Sequence, residues 1–294
     1  MEFRVLKYFL AVAETENISR AAVELNISQP ALSRQLMDLE EELNVKLLER
    51  SKRRTVLTEA GYLLKKRAEE ITELMEKTVD ELYRYTNDNI SGSIRIGCGE
   101  TAGMSVIADA VKDIRQKYPL INTHLYSMDD SGVKEGLAKG TLDFGVLVQP
   151  EPPKNYPYVE INHQDRWGVF IKKDNPLSAQ KEICAKDLYG LPLIVSRQAL
   201  ANKELRAWFG KKERELNIVA TYTLIYNASL MAEAGIGYLL CLEGILNVAE
   251  ESALVFRPLY PPCVCRIFFI WKPRQIFSKA AALLKDKLLS ASSP

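Results

Sequence analysis

At 294 residues the chain is long enough for two or three domains, and a hydrophobic share of 47% can fill real cores. A net charge of +1 does not by itself suggest nucleic acid, so any positive charge that matters is local. Five thinly spread cysteines argue against a disulfide framework, no apolar run approaches the roughly 20 residues of a membrane span, and the opening MEFRVLKYFL is unlike a signal peptide, so a cytoplasmic protein is expected.

Asn17 to Leu43 reads as two short helices joined by a tight turn. Asn17 is a candidate N-cap, and Ala21, Ala22 and Leu25 share a face whose two alanines admit a close neighbour. Asn26 and Ser28 break that helix. Ser28 then caps a second one near Gln29, where Pro30 is tolerated in the first turn because its missing N–H has no intrahelical partner. Leu32, Leu36, Leu39 and Leu43 make the buried stripe, leaving Gln29, Pro30, Ser33, Arg34 and Met37 outward. That face suits a major groove: Arg34 can fork onto guanine, Gln29 can pair with adenine, Pro30 can touch a thymine methyl, and Ser33 suits a base edge or a phosphate. Glu40-Glu41-Glu42, at the far end, is expected to face away from phosphate.

After Leu48, Glu49-Arg50-Ser51-Lys52-Arg53-Arg54-Thr55-Val56-Leu57 places a cationic turn between two short apolar stretches. An isolated Lys52-Arg53-Arg54 triplet reads as a solvated loop; beside a reading helix it forms a wing whose Arg50, Lys52, Arg53 and Arg54 can grip phosphates or enter a minor groove.

These residues resemble the LysR-type transcriptional regulators. The likeness is dense from Phe3 to Leu64: Leu6-x-x-Phe9-Leu10-Ala11-Val12-Ala13-Glu14, Ser19-Arg20-Ala21-Ala22, Ser28-Gln29-Pro30-Ala31-Leu32-Ser33-Arg34-Gln35, Leu39-Glu40, Leu47-x-Glu49-Arg50 and Leu57-Thr58-Glu59-Ala60-Gly61. The resemblance implies a winged helix-turn-helix over residues 1–58 that binds an inverted repeat as a dimer. Gln29, Pro30, Ser33 and Arg34 would read bases, Arg53 would contact the backbone or minor groove, and Asn17, Ser19 and Ser28 would lie at the same interface. Asn17 stands where Ser or Gly is more usual, and Met37 occupies a variable place.

From Thr58 to about Thr86 the pattern is continuously helical, with Leu64, Ala68, Ile71, Met75, Thr78, Leu82 and Tyr85 spaced 4-3-4-3-4-3 as in a coiled-coil seam. Lys65, Lys66, Glu69, Glu70, Glu73 and Glu76 charge the remaining surface, so the stripe needs a cover: its own domain or a second copy. A two-fold partner is the more economical, since paired half-sites demand a symmetric reader. The resemblance likewise implies that residues 59–86 dimerise the reading heads, commonly within a homotetramer.

Residues 87–93, Asn87-Asp88-Asn89-Ile90-Ser91-Gly92-Ser93, are a hinge of turn formers. Strands then alternate with helices: Ser93 to Gly97, helix Met104 to Tyr118, Asn122 to Ser127, helix Val133 to Lys139, Leu142 to Val148. Later come Trp167 to Ile171, Leu193 to Val195, helix Ala199 to Phe209, Ile218 to Thr221, helix Ala228 to Ala234 and Gly237 to Leu240. Alternation indicates a parallel sheet with covering helices in two α/β lobes. Cys265 to Trp271 and the helix Ser278 to Leu289 complete the first lobe if the chain crosses back. That crossing is what the resemblance implies, with an effector domain over 94–294 similar to type 2 periplasmic binding proteins: lobe I about 94–162 and 265–294, lobe II about 163–264.

In such a domain ligands bind beyond the carboxyl ends of the strands, where helix N-termini present free N–H groups. This rule selects Gly99, Glu100 and Thr101, then Ser196, Arg197 and Gln198, and more weakly Asn227; the first two sets correspond to effector-contacting loops in the resembling family. Arg197 beside two helix starts points to a small anion such as a carboxylate. Its alternative is a lobe-to-lobe salt bridge with Glu100 or another acid, and Glu100 repels an anion unless it points away.

Other combinations fare poorly. Cys263 and Cys265 lack a third soft ligand nearby, Cys98 lacks a basic neighbour to make it reactive, and His124 and His163 show no triad or metal spacing. Gly97-x-Gly99-x-x-Ala102 lacks the acidic ribose partner of a dinucleotide site. With no paired nucleophile and base, the expectation is a regulator rather than an enzyme, with no cofactor and no metal. Its partners are a double-stranded operator, a small effector in the interlobe cleft, and itself.

Overall fold

The computed structural model describes residues 1–50, 54–83, 90–201, 203–210, 216–246 and 252–292. By internal contacts the chain divides into Met1–Thr86 and Asn87–Pro294.

The first unit contains α1 (Phe3–Thr15), α2 (Ile18–Glu24), α3 (Gln29–Glu42), β1 (Leu48–Arg50), β2 (Thr55–Leu57) and α4 (Glu59–Tyr83). Its core gathers Val5, Phe9, Val12, Ala21, Ala22, Leu32, Leu36 and Leu39 with Leu47 and Leu48. The side chain of Asn17 caps α2 by accepting the Arg20 N–H at 3.0 Å. Asn26 turns the chain with φ 54°, a left-handed conformation that asparagine tolerates. Ser28 Oγ then accepts the Ala31 N–H at 3.4 Å and Pro30 sits in the first turn of α3.

The buried stripe of α3 differs from the four expected leucines. Leu43 closes the helix and is 38% exposed, while Glu40 lies inside at 4%. Its Oε1 accepts the N–H of Leu47 at 2.8 Å and of Leu48 at 3.1 Å, satisfying donors where the chain turns into β1. The acidic run is therefore split, with Glu40 inward and Glu41 and Glu42 exposed. β1 and β2 pair antiparallel, Leu48 opposite Leu57 and Arg50 opposite Thr55.

Thr58 Oγ1 accepts the Gly61 N–H at 3.0 Å and starts α4. Gly61 is required by space: a Cβ there would stand 2.2 Å from the Leu47 carbonyl oxygen. Packing of α4 corrects part of the expected seam. Ala68 is completely buried within a single chain and Leu64 packs against the unit's own core, because α4 runs along α1. Ile71, Met75 and Leu82 stay 41, 43 and 60% exposed. Tyr85 lies outside the described residues.

The second unit is built on a nine-stranded mixed sheet shared by two lobes. In the first, β3 (Gly92–Cys98) pairs parallel with β4 (Ile121–Ser127) and with β5 (Phe144–Gln149). α5 (Met104–Lys117), α6 (Asp130–Lys139) and α10 (Lys279–Ser292) cover it, burying Ile94, Ile96, Ile107, Phe269 and Leu284 on one face and Val133, Leu137, Leu147 and Phe268 on the other. In the second, β7 (Pro192–Ser196) pairs parallel with β8 (Asn217–Tyr222) and β9 (Tyr238–Leu242), with α7 (Arg197–Ala201), α8 (Lys203–Phe209) and α9 (Ile225–Glu233) following.

β6 (Tyr158–Lys172) joins the lobes. Up to Arg166 it pairs antiparallel with β11 (Val264–Ile270), which also lies antiparallel to β5; from Trp167 it pairs antiparallel with β9, and its end with β10 (Leu254–Pro258). The expected all-parallel arrangement is thus corrected where the chain passes between lobes: β6 leaves the first lobe and β11 returns beside it in the opposite sense. Polar residues Glu160, Asn162, His163, Gln164 and Asp165 hide the first half of β6 from a hydrophobicity reading, and the expected helix over Ala199 to Phe209 is α7 and α8.

Candidate DNA-reading face and effector cavity

On α3, Gln29, Pro30 and Arg34 are exposed beside Met37, and Ser33 is half-buried. The apolar side of the helix is fixed in the core, so this polar side is presented rigidly. Ser28 is spent on capping but remains exposed, as do Asn17 and Ser19 at the start of α2. In the wing, Arg50 ends β1; its side chain, like Lys52 and Arg53, lies outside the described residues. Arg54 is exposed, and its guanidinium pairs with Glu16 (2.5 Å) just beyond the end of α1. The Arg54 guanidinium holds the Glu16 carboxyl below the usual range, and Thr55 N–H donates to the Glu16 carbonyl at 2.9 Å. The wing's last arginine thus braces it against α1.

In the second unit, a cleft with about 770 Å³ of empty space, open solvent at its entrance included, lies between the lobes at the carboxyl ends of β3, β4, β5, β7 and β8. Gly99 and Glu100 line it from the first lobe, Ser196, Arg197 and Gln198 from the second, so five of the seven expected residues meet there. Trp167, Tyr222, Ile225, Leu242 and Ile245 give it an apolar body.

Among the described residues, two hydrogen bonds cross between lobes at this cavity. Glu100 Oε2 accepts the N–H of Ile225, the first residue of α9, at 2.7 Å. Gln198 Nε2 donates to Asp130 Oδ1 at 2.6 Å. Glu100 therefore makes no salt bridge with Arg197; its carboxylate serves a helix N-terminus left without a side-chain cap of its own. Arg197 is exposed at the mouth, and among the described residues no carboxylate stands within ion-pair distance of it, although Asp129 feels its charge. Asp129 itself caps α6 through Gly132 N–H at 2.9 Å, and burial pushes the Asp130 carboxyl up to about 6. Ser196 Oγ accepts Ala199 N–H at 2.8 Å and starts α7.

Thr101 and Asn227 lie outside the cavity lining. Thr101 is 8% exposed and its hydroxyl donates to the buried Asp165 of β6 at 2.5 Å, which ties the loop after β3 to the passage between lobes. Asn227 is exposed in the first turn of α9; the backbone N–H of Ile225 is the group that faces the cleft. Sequence reasoning did not select Asp129, Asp130, Trp167 or Tyr222. Asp129 and Asp130 follow the end of β4, so the rule that found Gly99 and Ser196 finds them too once that strand end is used.

Cys98 lines the cavity, but burial and the neighbouring Glu100 carboxylate push its thiol up, away from the reactive thiolate. Cys263 and Cys265 are buried, and among the described residues no three His, Cys, Asp or Glu side chains stand together to hold a metal. No helix among the described residues is long and apolar enough to cross a membrane.

A small helical reading head with a wing, followed in the chain by a two-lobed domain with a cavity between its lobes, defines a DNA-binding regulator with a ligand-binding domain. Two family models match: "Bacterial regulatory helix-turn-helix protein, lysR family" over residues 3–62 and "LysR substrate binding domain" over residues 87–293. The Hca operon transcriptional activator HcaR of Escherichia coli (strain K12) is 30% identical over 262 residues, 88% of this chain and 87% of that protein. The HTH-type transcriptional regulator AlsR of Bacillus subtilis (strain 168) is 33% identical over 202 residues, 68% of this chain and 66% of that one. Among solved structures, CbnR, a LysR family transcriptional regulator, shares the fold with a TM-score of 0.79 at 22% identity, each chain covered in full. This chain belongs to the LysR family of transcriptional regulators, with a DNA-binding helix-turn-helix and an effector-binding domain.

Proposed function

We propose that two copies of this chain, joined along α4, grip the two halves of an inverted repeat, and that a small anionic effector in the interlobe cavity changes how the copies are arranged. Gln29, Pro30, Ser33 and Arg34 read base edges, and the basic wing contacts phosphate or the minor groove. CbnR has been solved with its target DNA, which supports a duplex operator as partner here. The exposed stripe of Ile71, Met75 and Leu82 supports self-association through the distal part of α4, and dimers pair into a tetramer on the operator. The regulator works in the cytoplasm, bound to the chromosome.

For the effector, the observation that carries the reading is Arg197: an exposed guanidinium at the mouth of the cavity without a carboxylate partner among the described residues. A carboxylate entering there gains a charge-assisted hydrogen bond and brings its body against Trp167 and Tyr222. It shifts the regulator only if the two arrangements bind it unequally. DNase footprinting tests this: wild type changes its footprint with the effector, whereas Arg197→Ala keeps basal operator binding and loses that change. A full response in Arg197→Ala removes Arg197 from the site.

A further inference from the structure

We infer that Glu100 is the cavity's specificity filter: a built-in anion at the start of α9 that restricts the effector to one negative charge, held at Arg197, on an otherwise uncharged body. The inference rests on the proposed carboxylate site and deepens it.

Anionic ligands find two kinds of partner in this cleft, a cationic side chain and the free N–H groups of a helix start. At α9 the leading N–H is already taken. α9 has no side-chain cap of its own, and the Ile225 N–H points to Glu100 Oε2 at 2.7 Å from the opposite lobe. The charge of Glu100 is felt at the Cys98 thiol and the Tyr222 hydroxyl, both on the cavity wall, so a second anionic group reaching that end meets a fixed negative charge in a partly desolvated space. The other carboxylates at the cleft are committed as well: Asp129 to the Gly132 N–H and Asp130 to Gln198. Arg197 is left as the one cation lining the cavity, among the described residues. Trp167, Tyr222, Leu242 and Ile245 line the same cavity and suit an apolar body. One cation, an apolar wall and a carboxylate already held at a helix start, all lining one cavity, select a monoanion over a dianion.

The test uses the full chain and matched probes: hexanoate against adipate and benzoate against phthalate, measured by calorimetric titration on wild type, Glu100→Gln and Arg197→Gln. Glu100→Gln keeps an amide oxygen to accept the Ile225 N–H, so the contact between lobes survives while the charge is removed. Expected results are that wild type binds the monoanion of a pair at least tenfold tighter than the dianion, and that Glu100→Gln recovers at least tenfold in dianion affinity with less than about a twofold change for the monoanion. Arg197→Gln weakens both. Equal binding of the two by wild type, or equal gains for both in Glu100→Gln, overturns the filter and leaves the carboxylate site standing. Monoanion binding unaffected by Arg197→Gln, or no binding of any carboxylate to any of the three proteins, overturns the carboxylate site and the filter together.

Discussion

Glu40 and Leu47 are joined by a buried hydrogen bond of 2.8 Å, in which a carboxylate near the end of the reading helix accepts the backbone N–H that leads into the wing. The same oxygen takes the Leu48 N–H at 3.1 Å. One acidic side chain thus ties the start of β1 to the end of α3.

Removing that acceptor exposes its structural role. Glu40→Ala leaves two buried donors unsatisfied and is expected to cost about 2–4 kcal/mol of stability, whereas Glu40→Gln retains an acceptor oxygen and costs about 1 kcal/mol. Denaturant unfolding of both variants measures the difference. Equal midpoints for wild type and Glu40→Ala contradict the assignment.

Arg34 is exposed on the face opposite the core leucines. Arg34→Ala is expected to lose about 1–3 kcal/mol of operator affinity and to relax the base preference at symmetric positions. Competition binding at fixed salt, with single base changes in the operator, reads both effects. A uniform loss across all sequences would instead make Arg34 a phosphate contact.

Association and folding separate along α4. Ile71→Glu or Met75→Glu introduces charge into an exposed apolar stripe and is expected to shift the protein toward monomer in sedimentation velocity with little loss of stability. Ala68→Leu overfills a site buried within one chain, so it is expected to cost about 1–3 kcal/mol of stability without directly altering association. The opposite pattern would return Ala68 to the seam.

Asp130 gives a pH dependence with a definite sign. Burial raises its folded carboxyl to about 6 from an ordinary value of 3.8, so the native state binds more protons than the unfolded state between those values. Its contribution therefore favours folding at low pH and is lost as pH rises through about 6. Asp130→Asn removes that contribution: relative to wild type, its stability is expected to climb by about 1–3 kcal/mol between pH 4 and pH 7. Parallel stability profiles for the two proteins would refute the shift.

Much of this was legible in the sequence where chemistry is local. Asn17 and Ser28 declare helix starts by their own hydrogen-bonding groups, and Leu32, Leu36 and Leu39 declare a buried face by spacing. Gly99, Glu100, Ser196, Arg197 and Gln198 follow from their place at strand ends. What the sequence concealed depends on partners distant along the chain. Glu40 looks like part of a solvated acidic run until Leu47 N–H turns toward it. Thr101 sits beside two cavity residues, yet Asp165, 64 residues away, claims its hydroxyl. Ala68 fits a heptad and also fits the surface of α1, and spacing alone does not choose between them. Glu100 was legible as a cleft residue; its service to α9 was not, because that bond spans 125 residues.

Selection of bound duplexes from a random pool by this protein measures directly whether two reading heads recognise one paired site. An inverted repeat is expected to be enriched, with base preferences at mirrored positions that weaken together in Arg34→Ala. Retention of all sequences alike, or enrichment of a single unpaired site held by a monomer, would contradict it.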